Sequence, residues 1–196
     1  MQFSLVSKSK IRRKAIKYRE HLSLSNKELM DNKIVNNLTA IKEYVDAETI
    51  YVYVSKYNEI DTIKLIENLL KSGKNVAVPK CISKTEMKFY YIDSLSQLKL
   101  GNFGVLEPIE NLVVAECAEK AFMIVPCLAA DIFGYRVGYG KGFYDRYLSE
   151  NHISTAILCY HDYLYFKILH DKYDFKCDYI VTESKTFKRK GINYAK

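Results

Sequence analysis

Apolar and polar positions divide this chain into short segments with two different periods. In residues 8–21 apolar side chains recur every three or four positions, which is typical of a helix with one buried face. Residues 49–54, TIYVYV, are β-branched or aromatic almost throughout, which indicates a strand. Where such segments alternate as strand, helix and strand, we expect a parallel pair joined by a right-handed crossover.

The patterns predict five helices and six strands. The helices are expected at 8–21, 25–44, 62–72, 143–151 and, as a short one, 163–170. The strands are expected at 49–54, 75–79, 87–92, 122–125, 153–160 and 179–181.

The remaining segments complete the predicted fold. Ser25 begins a capping-box pattern for the second helix, residues 98–108 indicate a loop with short helical pieces, and the basic tail after Glu183 is expected to be poorly ordered. No helix precedes 87–92, so that strand can make the sheet mixed. We therefore predict the α/β class: a single three-layer domain, residues 1–196, with a mostly parallel sheet flanked by helices.

Composition excludes several classes of protein. With 48% hydrophobic and 27% charged residues, the chain has the balance of a globular domain. The longest uncharged apolar run, 121–130, is too short to span a bilayer, and the N-terminus lacks the hydrophobic core of a signal peptide. We therefore expect a cytoplasmic protein with no membrane partner.

Cysteine usage argues against both a disulfide framework and a zinc site. The five cysteines are an odd number, and no two of them form a C-x-x-C pair. We expect most of them to be small buried side chains. They are Cys81, Cys117, Cys127, Cys159 and Cys177.

The strongest chemical signal lies in residues 125–148, VPCLAADIFGYRVGYGKGFYDRYL. It follows a predicted strand, contains Gly138, Gly140 and Gly142, and leads into a predicted helix. Ligands of α/β sheets bind beyond the carboxyl ends of strands, and glycines let backbone N–H groups approach an anion. The helix N-terminus, Arg136 and Lys141 add positive charge. The stretch therefore predicts a phosphate-binding glycine loop, residues 138–142.

The loop does not match the two best-known phosphate motifs. Tyr135 stands where a Walker loop has its first glycine, and Gly142 stands where that loop has its hydroxyl. Phe143 occupies the third glycine position of the Rossmann pattern. From the loop alone, a mobile surface turn stays open as an alternative.

The stretch resembles the signature of the 5-formyltetrahydrofolate cyclo-ligases, also called methenyltetrahydrofolate synthetases. That family carries Val-Pro-Gly, then Phe-Asp, then Gly-x-Arg-Leu-Gly-x-Gly-x-Gly-Tyr-Tyr-Asp-Arg. Ala130 and Phe143 depart from it, and His161 stands where the family usually has Gln. The matching positions are Val125, Pro126, Asp131, Gly134, Arg136, Gly138, Gly140, Gly142, Tyr144, Asp145 and Arg146.

The resemblance, which covers nearly the whole chain, implies an ATP- and Mg²⁺-dependent ligase. Its reaction converts 5-formyltetrahydrofolate to 5,10-methenyltetrahydrofolate and releases ADP and phosphate. Such an enzyme needs no protein nucleophile, because positioning and charge neutralisation supply most of the catalysis. The implied partners are small molecules, and we expect a monomer that does not bind nucleic acid.

The resemblance also implies the residues of an ATP site. Lys8 and Arg12 match the family's Lys-x-x-x-Arg, and residues four apart share one helix face. The alternative for this pair is a solvated basic helix. Arg136, Lys141 and Tyr144 are the candidate catalytic residues. The full ATP-binding set is Lys8, Arg12, Arg136, Gly138, Tyr139, Gly140, Lys141, Gly142, Phe143 and Tyr144.

A folate site and a metal site follow from the same resemblance. Glu59, in N-E-I-D-T, matches the glutamate that holds the pterin, and a carboxylate can accept two hydrogen bonds from such an edge. Asp145 and Asp174 match acids associated with Mg²⁺, which prefers oxygen ligands. The alternatives are a loop acid for Glu59, a helix cap for Asp145 and pairing with a lysine for Asp174. The substrate-binding set is Val54, Glu59, Tyr139 and Phe143.

Two nearby acids have different expected roles. Asp61 is interpreted as a helix cap. For Glu107, a substrate contact and a structural role both stay open.

Two other functions are compatible with the composition. A net charge of +7 and 17 tyrosines would suit a module that binds single-stranded nucleic acid by stacking. A sugar-phosphate enzyme could use the same loop on a similar scaffold. The joint presence of Lys8, Arg12, Glu59 and the glycine loop favours the ligase.

Overall fold

The computed structural model describes residues 6–101, 104–116 and 118–189, and its largest element is a seven-stranded sheet. The helices are α1 (Lys8–His21), α2 (Leu24–Leu38), α3 (Lys42–Asp46), α4 (Ile63–Lys71) and α5 (Phe143–Glu150). The strands are β1 (Thr49–Val52), β2 (Asn75–Cys81), β3 (Met87–Ile92), β4 (Leu98–Leu100), β5 (Leu106–Pro108), β6 (Ala121–Val125), β7 (Ala129–Asp131), β8 (Arg136–Val137), β9 (Ser154–Leu158), β10 (Leu164–Tyr165), β11 (Tyr179–Val181) and β12 (Thr186–Lys188).

The large sheet has the order β12-β11-β9-β6-β1-β2-β3. Its five inner strands are parallel, while β3 and β12 run antiparallel at the two edges. This confirms the predicted α/β class and the mixed sheet. From β1 the chain moves outward to β2, and from β6 it moves the other way to β9 and β11, so the strand order reverses between β1 and β6. In open α/β sheets that reversal is where ligands bind.

The sheet separates two apolar cores. On β1, Ile50 and Val52 pack with α2, α3 and α4 on one face, whereas Tyr51 packs with α5 and β3 on the other. All four residues of this strand are buried. A strand covered on both faces explains why its sequence is apolar without alternation.

Two small sheets complete the fold. β7 pairs in parallel with β10 and antiparallel with β8, and α1 packs on this sheet through Ile11. β4 and β5 form an antiparallel pair. The outer side of β3 is covered by a short segment in which Val113 accepts the N–H of Tyr91 at 3.0 Å and Ala115 donates to Phe89 at 2.8 Å.

The predicted second helix, 25–44, was wrong in its start and its continuity. α2 is capped by Ser23, whose hydroxyl accepts the N–H of Asn26 at 3.3 Å, and it ends at Leu38. The Thr39 hydroxyl bonds back to the Asn36 carbonyl at 2.9 Å, which competes with helical bonding. Ile41 then adopts an extended conformation before α3 begins.

Three further predictions were wrong. The segment 163–170 is not helical: a 3₁₀ turn precedes β10, which pairs with β7. Residues 98–108, expected as a loop, contribute β4 and β5 after a 3₁₀ turn. The tail forms β12 against β11, while residues 190–196 lie outside the described part of the chain.

Two other predictions concern cysteines and membranes. Cys81, Cys127, Cys159 and Cys177 are free thiols, and Cys117 lies outside the described residues. Among the described residues, no helix is both long and apolar enough to cross a bilayer.

Candidate active site

An open cleft of about 960 Å³ lies at the carboxyl ends of β1, β2 and β6, where the strand order reverses. Its floor includes Val54 after β1, Pro79 in β2 and Pro126 after β6. Every site residue singled out from the sequence lines this one cleft. They are Lys8, Arg12, Val54, Glu59, Arg136, Gly138, Tyr139, Gly140, Lys141, Gly142, Phe143, Tyr144, Asp145 and Asp174.

The glycine loop needs glycine at two positions for its backbone conformation. Gly140 has φ +90° and Gly142, the N-cap of α5, has φ +69°, both in the left-handed region that side chains disfavour. A Cβ on Gly140 would also lie 3.1 Å from Nη2 of Arg12, and one on Gly142 would lie 2.8 Å from Nη1 of Arg146. Loop shape and close contacts therefore both depend on these two residues.

Helix α1 brings its two predicted phosphate cations to the cleft. Nε of Arg12 donates to the carbonyl of Gly138 at 2.8 Å, and Lys8 forms an ion pair with Asp174. The two side chains lie one helical turn apart on the same face. They tie α1 to the glycine loop and to the segment around Asp174.

Arg136 and Asp145 are paired with each other. Nη2 of Arg136 lies 2.9 Å from Oδ1 of Asp145, and the Arg136 side chain is only 5% exposed. The same Oδ1 accepts the N–H of Phe175 at 3.0 Å. A buried guanidinium is therefore neutralised beneath the glycine loop, while no described residue bonds to Oδ2 of Asp145.

The oxygen donors of the cleft fit Mg²⁺ rather than a softer metal. Asp145 and Asp174 both line the cleft, and Asp174 accepts the N–H of Asp171 at 2.7 Å besides its contact with Lys8. The described residues contain no group of three His, Cys, Asp or Glu side chains that could hold a metal ion. Mg²⁺ is usually held by one or two carboxylates together with phosphates and water, and two acids beside the glycine loop fit that requirement.

Glu59 lies opposite, in a loop of residues 53–62 that we call the Glu59 loop. Its side chain is buried, and Oε2 accepts the N–H of Lys56 at 2.8 Å. Tyr139, from the glycine loop, lines the same cleft and lies near the Glu59 carboxylate. Burial of this phenol and the neighbouring Glu59 carboxylate raise the pKa of Tyr139, so it acts as a hydrogen-bond donor at neutral pH.

The hydroxyl of Tyr144 is buried without a hydrogen-bond partner among the described residues. Burial, followed by the charge of Glu59, raises the pKa of Tyr144 far above its ordinary value. An unpaired buried hydroxyl costs about 1–3 kcal/mol. Tyr144 lines the cleft, so a ligand atom that reaches this hydroxyl would give it a partner.

Glu107 has a structural role and also lines the cleft. It is buried, and Oε1 accepts the N–H of Cys81 at 3.2 Å, which ties β5 to β2. A Cβ on Gly101, just after β4, would lie only 2.3 Å from Oε2 of Glu107, so the Glu107 side chain occupies space that a side chain at position 101 would need.

The departures from the family signature affect the cleft unequally. His161 and Ala130 do not line it; His161 donates its N–H to Glu183 at 2.9 Å, and Ala130 is buried in the core. Phe143 does line it.

The predicted cap Asp61 accepts the N–H of Ile63 at 2.8 Å, at the start of α4.

The sequence missed several residues of the cleft. Lys56 and Cys81 could have been found from their positions at the carboxyl ends of β1 and β2. The segment around Lys172 carries no such signal, because it approaches the cleft only in three dimensions. The missed residues include Tyr53, Lys56, Pro79, Cys81, Met87, Val105, Ser149, Asp171, Lys172 and Tyr173.

Comparison with known proteins identifies the family of this chain. A sequence model of the 5-formyltetrahydrofolate cyclo-ligase family matches residues 4–183. The 5-formyltetrahydrofolate cyclo-ligase of Escherichia coli is 30% identical over 176 residues, covering 87% of this chain and 97% of that protein. A probable 5-formyltetrahydrofolate cyclo-ligase of Schizosaccharomyces pombe is 30% identical over 121 residues, 60% of this chain and 59% of that protein.

A solved structure shares the fold over almost its full length. The NMR structure of Aquifex aeolicus 5,10-methenyltetrahydrofolate synthetase superposes with a TM-score of 0.80 at 28% identity, covering 96% of this chain and 99% of that one. Together with the family match and the cleft, this confirms the resemblance found in the sequence: the chain belongs to the 5-formyltetrahydrofolate cyclo-ligase family.

Proposed function

We propose that this protein closes 5-formyltetrahydrofolate to 5,10-methenyltetrahydrofolate, with ATP as the co-substrate. Membership of the family identifies the reaction as the conversion of 5-formyltetrahydrofolate to its methenyl form. The observation that best supports a joint site is that the glycine loop, the cations Lys8 and Arg12, and the buried acid Glu59 line the same cleft. A phosphate-binding side and a buried acid thus share one cleft.

On the phosphate side, we assign the cations and the backbone of the glycine loop to ATP. Lys8, Arg12 and Lys141 line the cleft together with the loop N–H groups at the start of α5. This arrangement suits a triphosphate because positive groups surround it from both the helix and the loop. Arg136 supplies a further positive charge beside the loop, where it is buried and paired with Asp145.

On the folate side, Glu59 accepts hydrogen bonds from the aminopyrimidine edge of the pterin. Val54 and Phe143 supply apolar walls, Tyr139 lines the cleft beside them, and the N–H of Lys56 holds the Glu59 carboxylate in place. Tyr144 offers its unpartnered hydroxyl as a donor to the formyl oxygen, where charge develops as that oxygen is transferred.

The chemistry requires two displacements. The formyl oxygen attacks the γ-phosphorus, forming an O–P bond while the bond to ADP breaks. N10 then adds its lone pair to the formyl carbon, and the C–O bond breaks so that phosphate leaves with the oxygen and the N10 proton. Mg²⁺ bound by Asp145 and Asp174 would neutralise phosphate charge.

No cysteine nucleophile is needed for this reaction. Cys81 lines the cleft, but burial, with Glu107 nearby, raises the pKa of its thiol to about 11. It is therefore protonated at neutral pH, when a thiol is a poor nucleophile.

The direct test is to mix the protein with 5-formyltetrahydrofolate, ATP and Mg²⁺ and to follow methenyl-folate absorbance. We expect absorbance to grow only when ATP and Mg²⁺ are both present. Omission of each in turn is the control. Equal growth without ATP, or no growth at any protein concentration, would contradict the proposed function.

A further inference from the structure

Asp31 lies outside the cleft, in the middle of α2, and is only 5% exposed. Its Oδ1 accepts the hydroxyl of Tyr160 at 2.7 Å. Its Oδ2 accepts the N–H of Asp61 at 3.0 Å and lies 2.5 Å from Nζ of Lys27. One buried carboxylate thus joins α2 to the Glu59 loop and to the end of β9.

The bond to Asp61 holds the backbone that carries Glu59. Asp61 follows Glu59 by two residues, and the next residue, Thr62, returns to the start of the loop by donating its hydroxyl to the Tyr53 carbonyl at 2.6 Å. Because the loop is closed on itself in this way, a displacement of the Asp61 amide moves Glu59 as well.

The other anchor of Asp31 is itself fixed. Tyr160 is 1% exposed, and the guanidinium of Arg19 lies 5.5 Å above its ring. Arg19 in turn donates to the carbonyl of Cys127 at 2.6 Å, just beyond β6. Asp31 therefore places the Glu59 loop relative to the strand ends that form the cleft floor.

A buried carboxylate is a costly way to fill a helix–sheet interface. An apolar side chain of similar size would avoid the desolvation of a charge. Asp31 offsets that cost only because three donors, from separate elements, converge on its two oxygens. Such a convergence fixes geometry more than it adds stability.

We propose that Asp31 is a positioning residue for folate binding: it sets the location of Glu59 by holding the Asp61 amide against Tyr160. It touches no substrate itself. The proposal rests on the proposed function only for the identity of the ligand that Glu59 binds.

The test variant is Asp31→Asn, which keeps the size but replaces one acceptor oxygen by a donor NH₂. Either Asp61 or Tyr160 then loses its acceptor. We expect KM for 5-formyltetrahydrofolate to rise about tenfold, while KM for ATP changes less than about twofold.

Asn37→Ala is the matched control on the same helix. Asn37 is bound to the carbonyl of Thr182 at 2.8 Å and not to the Glu59 loop. We expect this variant to lose stability without moving either KM. If Asp31→Asn behaves like Asn37→Ala, or raises both KM values equally, Asp31 is only a stabilising residue and the proposal falls.

Amide hydrogen exchange gives a second test that needs no substrate. In Asp31→Asn, exchange in residues 55–62 should become faster than in the wild-type protein, while exchange in the glycine loop stays unchanged. An equal increase in both loops would overturn the proposal. Failure of the wild-type protein to close the folate ring would contradict the proposed function, and the exchange pattern would still decide the role of Asp31.

If Asp31→Asn does not fold, Tyr160→Phe serves instead. It removes only the hydroxyl that bonds Oδ1 and keeps the ring beneath Arg19. The same pattern is expected with a smaller rise in folate KM, about threefold. Unchanged folate KM together with unchanged exchange in residues 55–62 would overturn the proposal.

Discussion

The glycine loop is held by charged side chains, from its own flanks and from the distant helix α1, whereas the Glu59 loop is held mainly by hydrogen bonds within itself and by one distant acid, Asp31. Arg12 reaches the glycine loop from α1, and the Arg136–Asp145 pair lies beneath it. In the Glu59 loop, the Tyr53 hydroxyl bonds the Ile60 carbonyl at 3.0 Å, a span of seven residues.

This difference follows from what each side is proposed to bind. Cations such as Lys8, paired with an acid in this structure, can exchange that acid for a phosphate without losing a partner. A planar pterin requires an acceptor already in place, and a rigid loop lowers the ordering cost of binding. The comparison predicts that changes in the glycine loop affect ATP and that changes in the Glu59 loop affect folate.

The largest effect is expected from Gly140→Ala. Its φ of +90° and the 3.1 Å approach of a Cβ to Arg12 both oppose the substitution. We expect ATP affinity, measured by calorimetry, to fall about 100-fold, because close backbone approach to phosphate is lost.

Gly73→Ala is the matched control for Gly140→Ala. Gly73 has φ +76° at the end of α4, and no atom lies within 4 Å of the position that a Cβ would take there. Both variants should lose about 1–2 kcal/mol of stability from the left-handed backbone. Equal ATP affinity in the two variants would show that the glycine loop is an ordinary turn.

A smaller effect is expected from Asp145→Asn. The variant removes the charge that neutralises Arg136, so the free energy of unfolding should fall by about 2 kcal/mol. This loss is smaller than that for a fully buried ion pair, because Asp145 is 26% exposed and water screens it. The Mg²⁺ concentration for half-maximal rate should rise about tenfold.

The control for this pair is Glu48→Gln. Glu48 forms an exposed pair with Lys120 at 2.6 Å, and its loss should lower the free energy of unfolding in urea far less than Asp145→Asn does, because water screens the pair. Superimposable Mg²⁺ titrations of Asp145→Asn and the wild-type protein would remove Asp145 from the proposed metal site.

The smallest change in stability, with an unusual sign, is expected from Tyr144→Phe. Removing an unpartnered buried hydroxyl should leave the free energy of unfolding unchanged or raise it by up to about 1 kcal/mol. Activity should still fall about tenfold if the hydroxyl donates to substrate.

Tyr51→Phe is the matched control for Tyr144→Phe, and we expect it to lower the free energy of unfolding. The Tyr51 hydroxyl donates to the carbonyl of Glu116 at 2.6 Å, outside the cleft, so its loss should cost about 1 kcal/mol without lowering activity. If chemical denaturation shows the same loss for both variants, the Tyr144 hydroxyl has a partner within the protein.

The sequence predicted the elements that are long enough to show a pattern of apolar residues. α1 begins and ends where its apolar spacing indicated, and β3 has its predicted bounds. β7, β8 and β10 have only two or three residues each and exist because they pair with one another, as Leu164 does with Ala130. Such short strands leave no period in the sequence.

The residues of the cleft were easier to predict than their contacts. Family motifs marked the glycine loop and Glu59, but not that the Tyr139 phenol lies near the Glu59 carboxylate, 80 positions away in the sequence. Nor did they indicate that Arg136 and Asp145, assigned separately to phosphate and metal, are bound to each other. Asp31 gave no signal, because its partners come from three separate segments.

The antiparallel edges of the large sheet also bear on how molecules of this protein meet one another. An open edge strand offers unpaired backbone groups to a second chain and so invites aggregation. Here the outer side of β3 is already bonded to the segment of Val113 and Ala115, and β12 has only three residues, flanked by Lys185 and Arg189. Within the described residues, neither edge presents a long ladder on which a second chain could extend the sheet.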